Sequence, residues 1–183
     1  MSDTSASLHR QIQGAGDLQG VVRTMKAVAA SSIVQYEKSV AALGDYYRTV
    51  ELGLSACFRQ REPSSRVAER KKNRVAGAVV FGSDQGLVGQ FNDTVADYAV
   101  GILATLPAKP EIWAVGERVH ARLVDAGLPP IGLLPLPNSV KAITPLVRQI
   151  LLESETRHSQ GKISELHLFY HHQTSGAGYE PVG

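Results

Sequence analysis

Apolar and small residues recur at alternating spacings of four and three along the first third of the chain, from Leu8 to about Phe58, with no proline. This heptad pattern predicts one long helix carrying an apolar seam. At 1.5 Å per residue the helix would be roughly 75 Å long, and such a helix is stable only if its seam is covered. Two successive steps of four, ending at Val40, predict a stutter. The seam comprises Leu18, Val22, Met25, Ala29, Ser32, Tyr36, Val40, Leu43, Tyr47, Val50, Leu54 and Cys57.

From Val75 onward the pattern changes to short apolar runs that alternate with helical periodicities. Such alternation predicts an α/β domain built on a parallel sheet. The predicted strands cover residues 75–81, 111–115, 131–136 and 163–172; the predicted helices run from 93 or 94 to about 106, over 117–127, and from 138 to about 158. The sequence ends just beyond the last predicted strand without a closing helix, so we expect a further segment or chain to complete the structure.

Composition and charge narrow the function classes. Apolar residues make up 43% and charged residues 20% of the 183 residues, which is typical of a folded protein. The net charge of +2 argues against a general polyanion binder, and we expect no membrane span and no signal peptide. The single Cys57 fits a reducing compartment.

Residues 59–74 carry seven basic and two acidic side chains and no aromatic ones. We interpret this stretch as a solvated linker rather than a nucleic-acid site, because base-stacking rings are missing. The predicted organisation is therefore an N-terminal helix over 1–58, a basic linker over 59–74 and an α/β globular domain over 75–183.

The stretch FGSDQGLVGQFND follows the first predicted strand and resembles a phosphate-binding turn in its position. Its glycines, Gly82, Gly86 and Gly89, have the wrong spacing for a dinucleotide fingerprint, and no lysine follows Gly86 as a Walker A loop requires. Asp84 would repel phosphate. We predict a structural turn in which Ser83 or Asp84 caps backbone N–H groups.

Two other features are candidates for chemistry. His167 and His171 are four residues apart, but the alternating pattern around them predicts a strand, which separates them by roughly 13 Å. Basic residues on the long helix, among them Arg23, Lys26 and Lys38, are either an ordinary solvated face or a docking site for an acidic partner. We predict no metal, no cofactor and no catalytic residue.

Two blocks resemble the gamma subunit of rotary F-type ATP synthases. VVRTMKAVAASS, on the long helix, is similar to the family's KAM-x-MVAAS-like block, and SDQGLVGQFN is similar to its SDRGLCGG-x-N-like block. The segment ISELHLFYHHQTSGAGYEP resembles the family's later strand and loop. Gln85, Val88 and Gln90 depart from the family pattern, as does Arg23 where lysine is common, and these departures suggest the alternate, sodium-type branch.

The resemblance implies a long N-terminal coiled-coil helix, a Rossmann-like globular domain, and a C-terminal shaft helix that this sequence lacks. It implies alpha and beta subunits of the catalytic ring, an epsilon-type subunit and the membrane rotor ring as partners, at the cytoplasmic face of a prokaryotic inner membrane. The matching block assigns Met25 to the contact with beta, and Arg23 and Lys26 to its acidic loops. A nucleotide-binding enzyme and a coiled-coil adaptor remain as alternatives.

Overall fold

The computed structural model describes residues 5–59, 75–174 and 178–183. The chain divides into two compact units, residues 1–63 and 64–183. Of the predicted linker, residues 60–74 lie outside the described residues, and Arg59 is the last residue of the first helix.

The first unit contains a single helix, α1, over Ser5–Arg59, which has 55 residues. Its continuity follows from the absence of proline and from the many strong helix formers, which outweigh the five glycines within it. Hydroxyl side chains also bond to the preceding turn; the Thr24 hydroxyl donates to the Gly20 carbonyl at 3.0 Å. No side chain of α1 is buried, and its seam residues of large apolar type are 37% to 69% exposed.

The second unit is an α/β fold around a five-stranded sheet with strand order β3-β2-β1-β4-β5. The first four strands pair in parallel, and β5 pairs antiparallel to β4. Its elements are β1 (Ala76–Phe81), α2 (Phe91–Leu103), β2 (Glu111–Val115), α3 (Glu117–Asp125), β3 (Gly132–Leu134), α4 (Val140–Ser159), β4 (Glu165–Gln173) and β5 (Tyr179–Val182).

Several elements differ from their predicted bounds by a few residues; β3, for example, is shorter than the predicted 131–136. Two differences have a clear physical reason. The parallel sheet was expected to end with the fourth strand, but β5 adds an antiparallel edge that includes Pro181. Four residues without alternating polarity give too weak a pattern to predict a strand. In addition, α2 begins at Phe91, earlier than predicted, because the Thr94 N–H already donates to the Gln90 carbonyl at 2.8 Å.

Helices cover both faces of the sheet. On one face α2 and α3 pack on β1, β2 and β4, where Val80, Ile112 and Phe169 are at most 2% exposed. On the other face α4 packs through Leu146 against a cluster that includes Trp113. Burial on both faces explains why β1, and β2 after Glu111, are continuously apolar rather than alternating.

An ion cluster fixes the end of α4 to the start of β2. The Arg157 guanidinium donates to both carboxylate oxygens of Glu111, at 3.2 and 3.1 Å, and to Glu153 at 3.2 Å. The same group lies 5.9 Å from the centre of the Trp113 ring. Both contacts with Glu111 come from Nη1 and the contact with Glu153 comes from Nε, so one guanidinium serves two carboxylates, which favours arginine over lysine.

Candidate functional site

The turn after β1 is closed onto the first turn of α2 by a pair of side chains. The Ser83 N–H donates to Asn92 Oδ1 at 2.8 Å, and Asn92 Nδ2 donates back to the Ser83 hydroxyl at 2.9 Å. Asn92 is 8% exposed, and these two bonds satisfy both ends of its amide. The amide therefore fixes the turn relative to the helix.

The same turn also caps α3. Asp84 Oδ1 accepts a hydrogen bond from the Glu117 N–H at 2.9 Å, and the Ser83 carbonyl accepts one from the Arg118 N–H at 2.9 Å. These N–H groups belong to the first turn of α3, and such groups have no acceptor within their own helix. An acidic side chain at this position also interacts favourably with the helix dipole. Asp84 thus occupies a place that an anionic ligand would otherwise use.

Two glycines allow the chain segments to approach one another. A Cβ atom at Gly82 would lie 2.4 Å from Val119 Cβ and 2.6 Å from Asn92 Oδ1. Gly116, which precedes α3, has φ of 109° and would place a Cβ 2.9 Å from the Ser83 carbonyl. By contrast, a Cβ at Gly86 would meet nothing closer than the Arg118 guanidinium at 3.5 Å. The tightest glycines therefore serve contacts within the chain.

Aromatic rings lie at the carboxyl ends of β1 and β4, where the strand order reverses. The Phe91 ring is 4.2 Å from the His171 ring and 5.2 Å from the Tyr179 ring, measured between centroids. His171 Nε2 lies 2.7 Å from the Phe91 carbonyl oxygen and donates to it. Open α/β sheets bind ligands at this point. Here the crevice contains side chains of the protein itself.

The two histidines considered for a metal site make separate contacts. His167 lies 3.6 Å from Glu165 and stacks near Phe169, whereas His171 bonds to the start of α2. Among residues 5–59, 75–174 and 178–183, no group of three His, Cys, Asp or Glu side chains is arranged to hold a metal ion.

The predicted interface residues on α1 lie within one turn. Arg23 and Lys26 are three apart, so they share a face, while Met25 points toward the seam that contains Leu18 and Val22. Met25 is 39% exposed. The helix thus offers two cations and one apolar side chain on adjacent faces. No helix in the described parts of the chain is long and apolar enough to cross a membrane.

Sequence reasoning missed Asn92, Arg118 and His171 as neighbours of the turn. Arg118 comes from α3, and its guanidinium reaches Gly86, although the turn itself contains no basic residue. The hydrogen bonds that join this region to the rest of the unit link residues 9, 33 and 80 positions apart. A single sequence gives no local pattern from which such pairs can be predicted. Only the Asp84 cap follows from a general preference of aspartate for unpaired helix N–H groups.

A family model described as ATP synthase matches residues 4–183. The chain is 23% identical to the ATP synthase gamma chain of Desulfitobacterium hafniense, over 98% of this chain and 64% of that protein. It is 24% identical to the gamma chain of Kineococcus radiotolerans, over 99% of this chain and 62% of the relative. It is 28% identical to the gamma chain of Salinispora tropica, over 61% of this chain and 37% of that protein. The chain thus spans less than two thirds of these relatives.

Proposed function

The chain belongs to the ATP synthase family, its curated relatives being gamma chains, and we propose that it forms the central rotor shaft of an F-type ATP synthase. The match along residues 4–183 supports this proposal, and α1 supports it physically. A 55-residue helix with no buried side chain and a long apolar seam is suited to insertion among partner subunits.

In this proposal α1 pairs through its seam with a second helix, as an antiparallel coiled coil. Pairing would bury side chains such as Val40 and Tyr47, which are 69% and 68% exposed. Each fully buried aliphatic side chain contributes about 1.5–3 kcal/mol, so a seam of this length is enough to hold two helices together. Residues 1–58 would form the shaft, 59–74 the linker and 75–183 a Rossmann-like foot.

The shaft would act without chemistry of its own. An asymmetric body inside a ring of alpha and beta subunits makes different contacts with each beta subunit, and such differences shift the ring among its conformations. Rotation would thereby couple ion flow across the membrane to ATP synthesis or hydrolysis on beta. From the departures at Arg23, Gln85, Val88 and Gln90 we propose the alternate branch of the family, with either sodium ions or protons as the coupling ion.

The foot would lie at the cytoplasmic face of a prokaryotic inner membrane, in contact with the membrane rotor ring and an epsilon-type subunit. On the shaft, Met25 would contact beta, and Arg23 and Lys26 would face acidic loops of beta. The geometry of the turn disfavours the rival nucleotide-binding enzyme, since Asp84 caps the N-terminus of α3 and the Phe91 and His171 rings lie against each other at the switch point.

Cross-linking in the assembled complex tests the proposal. A photoreactive amino acid at Met25 is expected to cross-link to beta when this chain is co-expressed with the alpha, beta and epsilon-type subunits of the same organism. The same amino acid at Leu133, on the foot, is the matched control and is expected to leave beta unlabelled. Failure of the purified subunits to associate with this chain would overturn the proposal.

Two further measurements separate the alternatives. Stoichiometric binding of ATP, NAD or FMN to the isolated chain in calorimetric titration would favour a nucleotide-binding enzyme. A stable homodimer in light scattering, together with no binding to the ring subunits, would favour a coiled-coil adaptor.

A further inference from the structure

The seam of α1 has the same spacing from either end. Starting at Leu8, its positions advance by three and four residues in turn as far as Ala29; starting at Cys57, they recede by three and four in turn as far as Tyr36. Only Gln11 in these two series has a side-chain amide. The order of the steps changes near the middle of the helix, and this change is the stutter. An off-centre stutter would put a helix out of step with a reversed copy of itself, whereas this seam can pair with one.

Antiparallel pairing about a two-fold axis between positions 32 and 33 sets seam against seam over nearly the whole of α1. Small side chains then face large ones, because Ala29 lies opposite Tyr36 of the second copy and Ala15 lies opposite Val50 of that copy. Facing layers of small and large side chains interdigitate well. The pairing covers side chains that a single helix leaves in water, such as Leu18, which is 67% exposed.

Charges on one flank of the seam fit the same pairing. Lys26 follows the seam residue Met25, and Glu37 follows the seam residue Tyr36, so the two-fold axis places both on one side of the dimer. Reversal sets Glu37 of the second copy level with position 28, about 3 Å along the axis from Lys26. Charged side chains that flank a coiled-coil seam pair across it and set the orientation of the helices. The symmetry forms this pair twice.

The other flank of the seam is apolar. Val21 precedes the seam residue Val22, and Tyr46 precedes the seam residue Tyr47. Val21 is 55% exposed and Tyr46 is 69% exposed on the single helix. In the antiparallel pair Val21 lies beside Tyr46 of the second copy, so the buried strip is wider than the seam alone.

The charges also select one register. Moving the two-fold axis to Tyr36 keeps seam against seam, but it sets Lys26 level with Gly44 and Arg48 of the second copy. Glu37 of that copy would then lie about 13 Å from Lys26 along the axis. A cation beside a cation is unfavourable, so the register with its axis between positions 32 and 33 is preferred.

We propose that this chain forms an antiparallel homodimer through α1 while no other subunit covers the seam, with Lys26 of each copy beside Glu37 of the other. The dimer uses the surface that the proposed shaft buries in the complex, so the two states exclude each other. Ring subunits that bind the chain must therefore displace the second copy, which makes the dimer a stored form of the subunit.

The first test measures the mass of the whole chain in solution. Light scattering after size-exclusion chromatography is expected to give about twice the 19.7 kDa of one chain. Leu43→Asp places a charge on the seam and should give the monomer mass. The matched control is Leu52→Asp, which makes the same change on the opposite face of the helix, where Leu52 is 67% exposed, and it should stay dimeric. A monomeric wild type, or equal behaviour of the two variants, would overturn the proposal.

The second test exchanges the flanking charges. Lys26→Glu and Glu37→Lys should each weaken the dimer by about tenfold in sedimentation equilibrium, and the double exchange should restore its affinity to within about threefold. Positions 26 and 37 are about 16 Å apart on one helix, so the rescue has to come from contacts between copies. Lys38→Glu lies away from the seam and is the control without effect. Absence of rescue would overturn the assigned register.

The third test fixes the orientation by disulfide cross-linking with diamide as the oxidant. Leu8→Cys lies opposite Cys57 of the second copy and should give a covalent dimer on a non-reducing gel. On one continuous helix these positions are about 73 Å apart, so the bond cannot form within a chain. Ala15→Cys, one heptad along, is the control and should give no cross-link. Cross-linking through Cys57 alone in the wild type would show parallel helices and overturn the proposal.

Addition of the ring subunits separates the dimer from the proposed function. The expected product is a complex that contains one copy of this chain. If the ring subunits bind a chain that is monomeric on its own, the dimer is refuted and the shaft function stands. If the ring subunits neither bind nor dissociate the dimer, the dimer stands and the shaft function is refuted. A complex that contains the intact dimer would refute the proposed exclusion.

Discussion

The two units bury their apolar side chains to very different extents. In the sheet unit Val119, Leu123 and Phe169 are 0% exposed, whereas on α1 Ile12 and Val40 are 70% and 69% exposed. A sheet with helices on both faces creates an interior, but a single helix has only a surface. The sheet unit therefore carries its own stability, while the stability of α1 depends on what covers its seam.

The largest expected effect is a loss of stability in the core of the sheet unit. Phe169→Ala should lower the free energy of unfolding by about 3–5 kcal/mol, because it removes a fully buried ring and leaves a cavity. Trp113, the single tryptophan, lies in the sheet and reports the transition by fluorescence during urea unfolding. Val40→Ala on α1 should change the free energy of unfolding by less than about 0.5 kcal/mol. A comparable loss from both variants would break the contrast between the units.

A smaller loss is expected where α4 joins the sheet. Arg157→Ala leaves the half-buried carboxylate of Glu111 without its cation, which should cost about 2 kcal/mol in the same urea experiment. The control is Arg148→Ala on the exposed side of α4, for which we expect no measurable change. An unchanged midpoint for Arg157→Ala would show that the ion cluster contributes nothing to the packing of α4.

A still smaller effect is expected at the turn after β1. Asp84→Ala removes the acceptor for the Glu117 N–H and should cost about 1 kcal/mol, as the loss of a helix cap usually does. Asp84→Asn keeps an acceptor oxygen and should recover most of that stability. Calorimetric titration with ATP should give the same trace for both variants and the wild type. A change in nucleotide affinity would instead support a ligand site.

The smallest effect on the isolated chain is expected at the proposed contact with beta. Arg23→Glu together with Lys26→Glu alters only exposed charges, so the free energy of unfolding should shift by less than about 0.5 kcal/mol. In the assembled complex the same variant should uncouple ATP hydrolysis from ion pumping, while Lys38→Glu should not. Intact coupling in the double variant would refute the assignment of these residues.

The sequence predicts elements best where one local pattern is uninterrupted. β2 was predicted at its observed bounds, Glu111–Val115, because an apolar run lies between Pro110 and Gly116. The start of α2 was misjudged because Phe91 and Asn92 follow a glycine-rich turn and look like part of it. β5 was missed, since a four-residue strand containing Pro181 is defined by its pairing with β4 rather than by its own composition.

The candidate site was less predictable than the fold. That Asp84 caps backbone groups could be expected from its residue type, but its partner is Glu117, 33 positions away. Leu87 has a positive φ of 62°, and the sequence could not predict this, because nothing in the residues GLVG specifies which one adopts left-handed backbone. Such features depend on how α2 and α3 meet the turn.

The proline at the sheet edge also bears on how readily this protein aggregates. Pro181 lies opposite His171 on the outermost strand and has no N–H to offer a neighbouring chain. At the other edge, β3 has only three residues and is followed by Pro135. Edges of this kind resist cross-β polymerisation. Both edges of the sheet therefore offer few free N–H groups to a strand from another molecule, which limits irreversible aggregation through this unit.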